Sequence, residues 1–146
     1  KNIDLILIGY GPELNNINKF VKDNKHSNRV FVLPPKKNPF PFFVISDLYI
    51  MTSLYEGCPN SIIEATILNL PVISSNCNSG PSEILLNGRG GTFYKKKNKH
   101  SLMKKISLFM NNKKNFKNKL KVAKKNIYRF EEKKILKQYN ELFNAL

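Results

Sequence analysis

The 146 residues include 25 Lys and Arg against 10 Asp and Glu, for a formal charge of +15. That length holds one domain with a modest core, and a composition 41% hydrophobic and 11% aromatic is too apolar for a disordered chain. No apolar run approaches the ~18 residues of a membrane-crossing helix, which excludes an integral membrane protein built on such helices.

The sequence opens on Lys1 rather than Met, and Ile3–Ile8 already reads as a buried strand. The expectation is a fragment of a longer chain, with no signal peptide ahead of it. Ile3–Gly9, Arg29–Leu33, Leu48–Thr52 and Val72–Ser75 are near-continuous apolar runs of strand length, with Gly91–Tyr94 a weaker fifth. Such runs suit strands buried on both faces of a parallel sheet.

Helical segments fall between them. From Pro12 to Lys25, Leu14, Ile17, Phe20 and Val21 share one face. Phe40–Ile45 is ambiguous because Pro39 and Pro41 restrict it, while Asn60–Leu70, Pro81–Leu86 and Ser101–Met110 read as helices. Strand alternating with helix predicts an α/β fold, a Rossmann-like parallel sheet flanked by helices. The division expected is a nucleotide-binding core over 1–94 and a helical tail over 95–146 packed on the same domain. One apolar stripe of that tail holds Leu120, Ile127, Phe130, Ile135, Leu136, Tyr139, Leu142 and Phe143.

The charge is concentrated: 16 of the 22 lysines lie between Lys95 and Lys137, and only Arg29, Arg89 and Arg129 are arginines. Arginine is the residue that bidentate phosphate and base recognition favours, so codon composition and a solvated helix face account for most of the lysines. A basic module for nucleic acid or an anionic membrane stays open as an alternative, with nucleic acid the weaker case. Cys58 and Cys77 form no CxxC, His26 and His100 sit in polar surroundings, and no Asp-x-Asp pair occurs, so no metal site is expected. Two thiols without a secretion signal suit a reducing cytosol.

The chemistry is concentrated in Ser53-Leu54-Tyr55-Glu56-Gly57-Cys58-Pro59-Asn60-Ser61-Ile62-Ile63-Glu64-Ala65. A strand ends near Thr52, a loop turns at Gly57 and Pro59, and a helix starts at Asn60 or Ser61. Ligands of parallel sheets bind at the carboxyl ends of strands, and free N–H groups at a helix start suit a phosphate. Glu56 in the loop and Glu64 one turn into the helix flank that position. Ser61-x-x-Glu64 is equally a capping box, in which both side chains only satisfy helix N–H groups. Gly9-Tyr10-Gly11-Pro12-Glu13 resembles half of a glycine-rich phosphate loop, and Asn78-Ser79-Gly80-Pro81-Ser82-Glu83 opens another helix after a strand.

These residues resemble the C-terminal, donor-binding domain of family 4 glycosyltransferases, retaining enzymes of the two-domain GT-B fold. Glu56 and Glu64 stand in the family's E-x7-E arrangement. Four motifs follow the family's order over roughly Ile3–Tyr94: LIGYGPE, SDLYIMTSLYEGCPNSIIEA, LPVISSNCNSGPSEIL and GRGG.

The resemblance implies that Glu64 accepts hydrogen bonds from the nucleotide ribose and that Glu56, the catalytic candidate, contacts hydroxyls of the donor sugar. Backbone N–H groups around Gly57, Cys58, Pro59, Asn60, Ser61 and Ile62 would meet sugar and diphosphate. Gly9, Gly11 and Leu33 would line the nucleotide, Leu33 near the base. It also implies a UDP-sugar as substrate, no separate cofactor, a glycan or lipid-linked acceptor in bacterial surface-glycan synthesis, and an N-terminal Rossmann domain as partner. In the family, a strand and helix precede the Ile3–Gly9 strand and bring an Arg and a Lys to the diphosphate, and this sequence has no counterpart. A GT-B-fold UDP-sugar epimerase is the remaining enzymatic alternative. The location expected is cytoplasmic, with a peripheral contact at the inner face of the cell membrane through the lysine-rich tail as an open alternative.

Overall fold

The computed structural model describes residues 3–77 and 79–145. The chain forms two compact units, the first ending at Phe42 and the second running from Phe43. The residues from Phe43 onward, tail included, fall in one unit.

In the first unit, β1 (Leu5–Ile8) and β2 (Val30–Leu33) pair in parallel from Leu5 with Val30 to Ile8 with Leu33. The connecting α1 (Leu14–Asp23) ends where Lys25 turns left-handed at φ 56° and the His26 N–H returns to the Val21 carbonyl. Arg29 forks onto Asp4 Oδ1, both nitrogens at 2.9 Å, which ties the start of β2 to the residue before β1. Burial is shallow. Neither strand has a fully buried residue, which corrects the expectation of strands covered on both faces. Val21 is the buried member of the α1 face, while Phe20, assigned to that face from spacing, is exposed.

The ambiguous proline-flanked segment is a short helix, α2 (Phe40–Val44), straddling the boundary. The second unit then holds β3 (Tyr49–Met51), α3 (Asn60–Ile67), β4 (Val72–Ser75), α4 (Pro81–Ile84) and β5 (Thr92–Tyr94). Its three strands are parallel in the order β3-β4-β5. The hydrogen-bonded strands thus form two sheets rather than the single sheet the pattern suggests.

Alternation along β4 builds two cores. Val72 joins Met51, Ile62, Ala65, Leu70, Ile84 and Leu85 on one side. Ile73, on the other, meets Tyr94, Phe109 and Phe116. Each large side chain buried this way contributes roughly 1.5–3 kcal/mol.

The tail consists of α5 (Lys99–Asn111), α6 (Lys113–Asn126) and α7 (Glu132–Phe143). Asn98 caps α5 by accepting from the Ser101 N–H at 2.8 Å, and Asn112 caps α6 from the Asn115 N–H at 3.1 Å. The α5–α6 turn brings Phe109 edge-on to Phe116, centroids 5.2 Å apart. Lys119 is drawn inward, donating from Nζ to the carbonyls of Gly88 (2.7 Å) and Gly91 (2.9 Å), and partial burial lowers its pKa. The expected stripe divides. Leu120 is buried and Ile127 and Phe130 pack on the core, but α7 has no buried residue and leaves Leu136, Tyr139, Leu142 and Phe143 exposed. Among the described residues, no helix is long and apolar enough to cross a membrane.

Candidate active site

The site is built at the carboxyl ends of β3, β4 and β5, where parallel strands leave their connecting loops. The loop after β3 is held in place by the chain after β4. The Ser75 hydroxyl donates to the Ser53 carbonyl, and the buried Cys77 thiol approaches the same oxygen at 3.2 Å. Further along, the Ser79 hydroxyl donates to the main-chain carbonyl of Glu56 at 2.7 Å.

Gly80 completes this brace. Its φ of +57° is a conformation that side chains disfavour, and a Cβ there would lie 1.9 Å from the Gly57 carbonyl oxygen. Only glycine lets the two loops meet this closely. Asn78, part of the predicted loop motif, lies outside the described residues.

Glu56 comes out half-buried on a cleft of about 360 Å³, lined also by Tyr55, Gly57, Cys77, Ser79 and Lys96. Gly57, Cys58 and Asn60 are exposed, whereas Pro59 and Ile62 are buried. Helix α3 begins at Asn60 with Pro59 at its N-cap, and no side chain caps it. The capping box read from Ser61 and Glu64 is therefore not formed. The Ile62 N–H donates to the Pro59 carbonyl at 3.0 Å, and without a side-chain acceptor the N–H groups of Asn60 and Ser61 and the positive end of the helix dipole are left for a ligand.

Ser61 is used elsewhere. Its hydroxyl faces the phenol of Tyr49, whose ring stacks on Phe43 with centroids 5.4 Å apart. Burial pushes the Tyr49 phenol above its ordinary pKa, the Ser61 hydroxyl opposes that, and the charges of Glu56 and Glu64 add to it. One phenol thus senses both carboxylates. Glu64 is half-buried on α3 and is not among the residues lining the Glu56 cleft. The Cys58 thiol is raised by partial burial and by the Glu83 charge, which disfavours a thiolate nucleophile.

Gly9, Gly11 and Leu33 belong to the first unit. The Gly9 N–H donates to the Leu33 carbonyl at 3.1 Å, joining the carboxyl ends of β1 and β2, and the Gly11 carbonyl accepts from Leu14 at the start of α1. In the second unit, sequence reasoning missed Tyr49, Tyr55 and Lys96. Lys96 carries only a partial signal: the run after β5 falls at the same sheet end as the Glu56 loop, but nothing in Lys95-Lys96-Lys97 singles out the middle residue. Tyr49 carries none, being one aromatic residue in a strand.

A parallel α/β fold with an uncapped helix start beside two carboxylates fits a unit of the GT-B glycosyltransferase type. The profile of glycosyl transferases group 1 matches residues 1–130, and the chain belongs to that family. It is 44% identical over 84 residues to an uncharacterized glycosyltransferase of Methanocaldococcus jannaschii, covering 58% of this chain and 21% of that protein. It is 31% identical over 100 residues to the N,N'-diacetylbacillosaminyl-diphospho-undecaprenol alpha-1,3-N-acetylgalactosaminyltransferase of Campylobacter jejuni, covering 68% and 26%. Among solved structures, Anabaena HepE in complex with UDP superposes with a TM-score of 0.88 at 20% identity, over 99% of this chain and 41% of that one. TarM gives 0.84 at 27% identity, over 97% and 28%. The chain thus spans about a fifth to a quarter of the two curated relatives.

Proposed function

We propose that this chain is the donor-binding part of a retaining glycosyltransferase that moves a sugar from a UDP-sugar to a glycan or lipid-linked acceptor in surface-glycan synthesis. The observation that carries this reading is the uncapped start of α3 with Glu56 before it and Glu64 within it. A carboxylate accepts from hydroxyls, so Glu64 binds the ribose and Glu56 the transferred sugar. The N–H groups at the helix start hold the diphosphate and stabilise the charge that grows on it as the glycosidic bond breaks. The UDP complex of the HepE structure and the undecaprenol-linked acceptor in the Campylobacter enzyme's name support this donor and acceptor class. Nucleotide binding in the complete enzyme falls in Glu64→Ala, whereas Glu56→Ala lowers kcat more than UDP affinity. Unchanged kinetics in both would end the assignment, and turnover of a UDP-sugar without acceptor would indicate an epimerase instead.

A second, compatible element is a peripheral position at the inner face of the cell membrane. Lys114, Lys117, Lys121 and Lys125, at separations of three, four and four, are all exposed on α6 and form one face. Lys113 and Lys124 are instead tied to Asp47 and Asn69. Neutralising the four exposed lysines abolishes binding to vesicles rich in phosphatidylserine. Binding unchanged by that variant would sink the membrane role.

A further inference from the structure

The loop after β5 reads as a plain charged connection, yet it delivers one lysine to the Glu56 cleft. Its backbone is pinned on both sides. The Asn98 N–H donates to the Lys95 carbonyl at 3.1 Å, Lys97 turns left-handed at φ 59°, and the Lys95 N–H meets the Ser101 hydroxyl at 3.0 Å. Asn98 then caps α5. Between these anchors the Lys96 side chain is half-buried in the cleft, its Nζ 5.4 Å from the centroid of the Tyr55 ring.

Its place beside Glu56 in the cleft sets this lysine apart from the unpaired lysines of the α6 face. Lys113 is paired with Asp47, Lys119 donates to two carbonyls, and Lys124 donates to Asn69. Lys96 has no carboxylate partner among the described residues. A cation resting on an aromatic face keeps its N–H donors for whatever enters beside it. Glu56 is the other charged residue lining this cleft. A ligand that fills the space must offer the ammonium an acceptor or leave a partly desolvated charge unpaired.

We propose that Lys96, seated on Tyr55, forms a subsite for an oxyanion carried on a sugar substrate, either a carboxylate or a phosphate ester. This rests on the reading of Glu56 as the donor-sugar residue. The nucleotide's own diphosphate is assigned to the start of α3, so the anion here belongs to the transferred sugar or to the accepting one.

The test is calorimetry on the complete enzyme. UDP, UDP-glucose and UDP-glucuronic acid probe the donor. Glucose, glucuronic acid and glucose 1-phosphate, added with UDP present, probe the acceptor. At least one acidic probe binds about tenfold more tightly than its neutral counterpart. Lys96→Gln removes most of that advantage, Lys96→Arg keeps it, and UDP affinity stays within about twofold in both. A loss confined to UDP-glucuronic acid assigns the anion to the transferred sugar, and a loss confined to the free saccharides assigns it to the acceptor. Equal binding of acidic and neutral probes, or a preference that survives Lys96→Gln, overturns the subsite. A large fall in UDP affinity overturns it too, since the lysine would then serve the nucleotide. Wild-type enzyme that fails to bind UDP overturns the donor reading beneath it. Intact UDP binding with no acidic preference overturns the subsite alone.

Discussion

The two sheets invert what their sequences suggest. β1 is Leu-Ile-Leu-Ile and has no fully buried residue, whereas β4 is Val-Ile-Ser-Ser and is buried throughout. β4 runs between two strands with a hydrophobic cluster on each side, and its serines find partners there: Ser74 donates to the Ser75 carbonyl and Ser75 to that of Ser53. Position in the sheet decides burial more than the hydropathy of the run. The site is built at the end of the strand with the most support.

That contrast can be broken or sharpened by paired substitutions, taken from the largest effect down. Gly80→Ala sets a side chain against the Gly57 backbone and costs about 4 kcal/mol in urea unfolding, with UDP affinity down more than about tenfold. Gly9→Ala, at φ +152° with open space around it, costs about 1 kcal/mol. Ile73→Ala in the wholly covered strand costs about 3 kcal/mol, against about 1 kcal/mol for Phe31→Ala in β2, where the ring is 45% exposed. Similar costs for those two would erase the distinction between the sheets.

Tyr49→Phe keeps the stack on Phe43 and removes only the link to Ser61, so it costs about 1 kcal/mol. It also has a pH signature. The folded-state pKa of this phenol is raised, so its ionisation disfavours folding, and stability falls as pH rises past the unfolded value near 10.0. Unfolding curves on either side of that pH should show the loss in wild type and less of it in the variant. Smallest of all, Phe143→Ala on the exposed face of α7 changes stability by less than about 0.5 kcal/mol.

Much of this was legible because the relevant signals are local. The five strands are short apolar runs, and the Glu56–Glu64 stretch carries its loop, turn residues and helix start within a dozen positions. The capping box misled because it too is a local pattern. Its alternative needed Tyr49, a strand residue twelve positions before Ser61, to claim the hydroxyl. Periodicity likewise placed Phe20 on a helix face and joined α6 to α7 in one stripe, but a period cannot say whether another element covers that face. Lys96 was hidden for a third reason: a lysine within a lysine run stands out only once the fold shows which one enters the cleft.

The contact between Gly80 and Gly57 has a practical consequence for anyone recombining this domain with its relatives. The loop that carries Glu56 is shaped by the stretch after β4, through a hydroxyl donated by Ser79 and through the space a missing side chain leaves at Gly80. Grafting the Glu56 loop alone into another scaffold would transplant a carboxylate without its mould. A chimaera that exchanges 53–60 and 77–81 together carries the geometry across as one heritable module.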